Sequence, residues 1–202
     1  MKCSEILKYL TELYPLELAM DWDNSGFLIG RKEKEVKNVL VVLDITNDVL
    51  DYAKANGIDL IVSHHPIIFS AIKKVTDETL LGNYILKILR NDISVIAMHT
   101  NFDIAGGGMA DICSERLGLN NTSVLELTNE IEEEKLGIGK IGDLEREVSL
   151  DELEIKIAEI LTTMQKDMLE KARAHRDSHT YSAVTYDEFK DTITNKPGFI
   201  KA

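Results

Sequence analysis

Leu60-Ile61-Val62-Ser63-His64-His65-Pro66 sets a short, continuous apolar run directly against two adjacent histidines and a proline. Such a run, with no polar alternation, suits a strand buried on both faces, as in a parallel sheet. Pro66 prevents the strand from continuing normally and biases His65 toward extended geometry. The two imidazoles then fall in a turn at the strand's C-terminal end, the edge where open α/β sheets place their ligands. Similar runs flank this one: Val39–Leu43, ending at Asp44, and Ser94–Met98, followed by His99-Thr100-Asn101-Phe102-Asp103. Helical spacing fills the gaps between them. Val49, Leu50 and Ala53 predict a helix from Asn47 to Asn56 with Gly57 as its C′ residue, and a second helix is predicted over Leu80–Arg90. Upstream, Ser4 is an N-cap candidate for a helix carrying Ile6, Leu7, Leu10 and Leu13. Downstream, Gly106-Gly107-Gly108 leads into a helix over Met109–Leu117 that Gly118 can stop. Strand–helix–strand alternation of this kind predicts an α/β fold, a layered sheet with flanking helices and right-handed crossovers.

The pattern weakens toward the C-terminus. Leu136–Ile141 reads as a strand, Ser149 with Glu152 as a capping box for a helix over Leu150–Leu161, and Met164–His175 as a further helix. Thr185 with Glu188 caps a third short helix. With 202 residues and 44% hydrophobic content, the chain has enough apolar material for one or two domains with a core. No window approaches the roughly 18 apolar residues of a membrane span, and Glu5, Lys8, Glu12 and Glu17 interrupt any signal-peptide core. A net charge of -12 opposes unspecific binding to nucleic acid or anionic lipid. That charge is unevenly spread: residues 161–202 hold seven basic against six acidic side chains, leaving 16 against 29 in residues 1–160. Cys3 and Cys113, the only cysteines, read as free thiols in a reducing compartment, so a cytoplasmic location is expected.

Adjacent histidines diverging from one turn could serve two neighbouring metal ions, or they could be ordinary loop histidines. The second turn shifts that balance by delivering His99 and Asp103 to the same sheet edge as His64 and His65. Imidazole with carboxylate suits zinc, manganese or iron. The competing reading makes Asp103 an N-cap or turn residue. Asp21-Trp22-Asp23-Asn24-Ser25-Gly26 reads as a tight loop. Gly106-Gly107-Gly108 matches neither the Walker nor the dinucleotide spacing and reads as a tight turn, with phosphate contact as the alternative. Cys113, within a helical pattern, is expected to be a small buried hydrophobe.

Ser63-His64-His65-Pro66-Ile67-Ile68-Phe69 and His99-Thr100-Asn101-Phe102-Asp103, with Gly106-Gly107 beyond, resemble the dinuclear-metal GTP cyclohydrolase I type 2 homolog family. Trp22-Asp23-Asn24-Ser25-Gly26 and Gly137-Ile138-Gly139-Lys140-Ile141-Gly142 match its pattern as well, with Lys140 in place of the usual arginine. The resemblance covers about residues 1–160. It implies an α/β fold, a homohexameric ring and two divalent transition-metal ions, with His64, His65 and Asp103 on the family's N-terminal metal ligands. The family completes its site with a His and a Glu four residues apart, and no His-x-x-x-Glu follows residue 160; the nearest substitute is His175 with His179. Residues from about 163 to 202, including Met164–Asp177 and Asn195–Ala202, instead resemble a C-terminal fragment of prolyl-tRNA synthetase. A chimera is therefore expected, with its junction near Ile160–Met164.

These readings give an expected organisation: a metal-binding α/β domain over 1–128, the start of a truncated second α/β domain over 129–161, and a helical tail over 162–202. The expected function is a dinuclear metal-binding protein and metal-dependent hydrolase of a purine nucleotide, impaired by the lost ligands. His99 would orient a ligand or shuttle a proton. The alternative is a non-catalytic metal-binding or regulatory interaction protein of the same family. Expected partners are a nucleotide substrate and further copies of the chain, with no nucleic acid and no membrane.

Overall fold

The computed structural model of the chain describes residues 1–131 and 133–159 and the backbone of 183–185. Two compact units result, one built from residues 1–101 with the strand at 183–185, the other beginning at Phe102. The first unit runs α1 (Cys3–Leu13), β1 (Gly26–Ile29), β2 (Asn38–Val42), α2 (Asn47–Ala55), β3 (Leu60–Ser63), α3 (Leu80–Arg90) and β4 (Ser94–Ala97). α4 (Thr100–Ile104) bridges the division. The second unit continues with α5 (Met109–Leu117), β5 (Asn120–Ile131), β6 (Glu134–Asp143) and α6 (150–159). β7 (Ala183–Thr185) returns to the first.

The sheet order is β1-β4-β3-β2-β7, with β2, β3 and β4 parallel and the two outer strands antiparallel to their neighbours. The three apolar runs therefore form the central strands. Every residue of β3 and β4 is buried, which is why neither shows alternation in the sequence. Leu40, Ile61 and Val95 share one sheet face by register. They pack with Leu50 and Ala53 of α2 and with Ile85 and Ile88 of α3. On the other face Leu60 and Ile96 are equally buried, and α1 turns Cys3, Ile6 and Leu10 inward.

Thr46 caps α2 by accepting the Val49 N–H at 3.3 Å, and Thr79 caps α3 by accepting that of Gly82 at 3.0 Å. α1 begins two residues earlier than Ser4 as its cap would dictate. Its cap position is Lys2, whose N–H donates to Glu5 Oε2 at 2.7 Å.

The second unit departs further from expectation. Leu136–Ile141 lies within β6, but its partner β5 gave no signal. Leu125, Leu127 and Ile131 on β5 are exposed, so neither burial nor clean alternation marks the strand. Cys113 is exposed rather than buried, because α5 turns Ser114 inward and leaves its neighbour outside. Ser149 Oγ accepts the Glu152 N–H at 3.1 Å, the expected cap of α6, while the Glu152 carboxylate pairs with Arg146. The helices read over Met164–His175 and beyond Thr185, with His175 and His179, lie outside the described residues; of the synthetase-like tail only the backbone of β7 is described.

Candidate metal centre

The parallel register explains how separate turns reach one place. Val42 stands level with Ser63, and Ser63 with Ala97, so β2, β3 and β4 end together. The ladder runs on briefly: His64 N–H donates to Val42 O and His65 N–H to Leu43 O, both at 3.0 Å, and Met98 N–H donates to Ser63 O at 2.9 Å. Asp44, the His64-His65 pair and His99 therefore leave the sheet at one rim. Ser63 Oγ donates to the His65 carbonyl at 2.9 Å and fixes the turn ahead of Pro66.

One ring nitrogen of each of His64, His65 and His99 lies within 4.8 Å of the others. Their ring centroids are 4.9 to 5.6 Å apart. Each imidazole is anchored through Nδ1. That of His64 reaches the Met98 carbonyl at 2.9 Å, that of His65 reaches Asp44 Oδ1 at 2.7 Å, and that of His99 reaches Asp23 Oδ1 at 2.9 Å. A carbonyl or carboxylate oxygen accepts, so Nδ1 is the donor in every case, and in the neutral ring this tautomer places the lone pair on Nε2. Imidazoles oriented through one nitrogen with the other kept basic are what a transition-metal site requires. The donor set fits a divalent transition metal.

Asp23 anchors the site from below. Its side chain is fully buried, and its carboxylate collects the Asn24 N–H at 2.6 Å, the Ser25 hydroxyl at 2.9 Å, the Thr100 N–H at 3.0 Å, the Thr100 hydroxyl, and His99. Burial by itself pushes the carboxyl up, but hydrogen bonds from Thr100, His99, Asn24 and Ser25 outweigh it and bring the group down to about 2. The charged form is held, and with it the orientation of His99.

His64 and His65 thus come together as the sequence proposes. His99 joins them as a third imidazole at the same rim, where the second turn was expected to deliver it. Asp103 lies on α4, just inside the second unit. Asp23 and Asp44 were not singled out as anchors. Their signal was present: Asp44 follows an apolar run just as the histidines follow theirs, and Asp23 sits in a loop rich in turn formers. In the second unit the glycine run is a packed turn. A Cβ on Gly108 would meet Phe102 O at 1.9 Å. The Gly107 N–H is taken by Asp111 Oδ2 at 2.9 Å, and Lys140 pairs with the other oxygen of that carboxylate at 2.8 Å. The phosphate reading of the run loses that donor.

Residues 1–182 match the family model described as Duf34/NIF3 (NGG1p interacting factor 3). A Clostridium perfringens protein named GTP cyclohydrolase 1 type 2 homolog is 34% identical over 153 residues, 76% of this chain and 58% of that protein. A Staphylococcus aureus hypothetical protein of known structure gives a TM-score of 0.73 at 27% identity, over 80% of this chain and 65% of that one. A Bacillus cereus protein related to NIF3 gives 0.61 at 41% identity, over 64% and 35%. The chain therefore spans little more than half the length of the Clostridium relative.

Proposed function

The chain belongs to the Duf34/NIF3 family, and from that premise we propose that it holds two divalent transition-metal ions and hydrolyses a purine nucleotide. The observation that carries the reading is the set of three imidazoles, each anchored through Nδ1, with ring nitrogens within 4.8 Å of one another. His64 and His65 would each hold one ion, and Asp103 would complete one of the two spheres. Zinc, manganese and iron all suit these donors. A bound ion of this class acts as a Lewis acid and brings the loss of a proton from water into the neutral range. His99, held by Asp23, either adds a ligand or passes a proton at its Nε2. Asp44 fixes the His65 ring against rotation. The nucleotide as substrate is carried by the name of the relatives, and three assigned ligands for two ions leave both spheres under-filled, so weak metal retention and impaired turnover belong to the proposal.

Assembly into a homohexamer belongs to the same proposal. The exposed Leu125, Leu127 and Ile141 of the β5–β6 ribbon support self-association, and sedimentation velocity reads it. The catalytic reading is tested by following GTP consumption with manganese, iron or zinc added to metal-stripped protein. Metal-dependent turnover that falls at least a hundredfold in the His64→Ala, His65→Ala double variant is expected. Metal bound tightly with no turnover would leave the metal-binding or regulatory role in its place.

A further inference from the structure

Trp22 and Phe69 stand beside the imidazole rim and take no part in holding it. Trp22 is 55% exposed and Phe69 51%. Their ring centroids lie 5.9 Å apart at 47°, and Trp22 meets His99 edge-on at 6.3 Å and 73°. Large aromatic rings are usually buried, so two half-exposed ones packed together beside polar chemistry are unusual. Neither is loosely held. Asn24 Nδ2 donates to the Ile68 carbonyl at 2.6 Å and ties the Trp22 loop to the Phe69 segment, while the buried Asp23 pins the Trp22 loop to Thr100 and His99. A ligand arriving here need not order the rings it lands on.

We propose that Trp22 and Phe69 form a stacking platform for the base of the nucleotide, an inference that rests on the proposed function for its choice of ligand. A tilted pair leaves part of each ring face uncovered, which suits a planar heterocycle lying on one ring and meeting the other at its edge. Two rings are too small a patch for a stable protein interface. The neighbouring side chains are imidazole and carboxylate, so an apolar segment would gain little by extending past the rings. A bicyclic base lying over Trp22 would project its edge toward His99. Both residues act by positioning.

Trp22 is the chain's one tryptophan, so its emission reports on this place alone. The test titrates the full chain with guanosine, which has no phosphates to engage a metal, and uses ribose 5-phosphate as the control. Saturable quenching by guanosine and none by the sugar phosphate are expected. Phe69→Ala should weaken guanosine binding about tenfold, Phe69→Tyr should keep it within about twofold, and neither should change the metal content. The His64→Ala, His65→Ala variant should still show the quenching. Loss of metal and turnover there with quenching intact separates the platform from the hydrolase reading. Absence of saturable quenching, its loss in the histidine variant, or indifference to Phe69→Ala would overturn the platform.

Discussion

The central strands β3 and β4 and the ribbon β5–β6 are both regular β-structure, yet they solve opposite problems. β3 and β4 are four residues each and buried throughout, with helices packed against the sheet. β5 has 12 residues and, among the described residues, pairs only with β6, and most of its length is exposed. An isolated two-stranded ribbon is marginal in water, whereas a covered parallel sheet is fixed in place. The imidazoles hang from the ends of the fixed strands. A cluster needing ring nitrogens within a few ångströms can be held only where the backbone beneath cannot shift.

Substitutions should separate the two regions sharply. Ile61→Ala, at a fully buried position in β3, should cost about 3 to 5 kcal/mol in urea denaturation, since the cavity cannot collapse between packed layers. Asp23→Ala should come next. It strands buried donors from Ser25 and Thr100 and should cost about 3 kcal/mol, and it frees His99 to rotate, weakening metal retention roughly 10- to 100-fold by competition with a chelator. Tyr14 supplies a pH signature of the buried unit. Burial, with Tyr9 adding to it, pushes its phenol up to about 12 from the ordinary 10.0. A raised folded-state value leaves stability intact below pH 10 and removes it as the pH climbs toward 12. The loss, on the order of 2 kcal/mol, should be smaller in Tyr14→Phe when unfolding is followed from pH 9 to 12. At the bottom of the scale, Leu127→Ala on the ribbon should change stability by no more than about 0.5 kcal/mol. A cost there comparable with that of Ile61→Ala would erase the contrast.

The same contrast governs how much could be read from the chain. Val39–Leu43, Leu60–Val62 and Ser94–Met98 were legible as central strands because burial on both faces leaves an unbroken apolar run. The helices between them carried their own stripes and stops. His64, His65 and His99 were legible because they follow those runs directly. β5 was not, since Asn, Glu and Thr interleave with exposed leucines and its pairing with β6 depends on register, which composition does not encode. Asp23 and Asp44 escaped notice as anchors for a different reason. A carboxylate that orients an imidazole 76 or 21 positions away is defined only once the chain has folded. The short helix α4 likewise replaces what reads as a turn, placing Asp103 on a helix instead of a loop.

The most direct test of the rim site is the metal content per chain of purified protein, measured by elemental analysis beside the His64→Ala, His65→Ala variant. Between one and two equivalents of a transition metal in the parent chain, lost in the variant, is the predicted result. Equal content in both proteins, or none in the parent after supply of zinc, manganese and iron, would contradict the assignment of the three-imidazole rim as a metal centre.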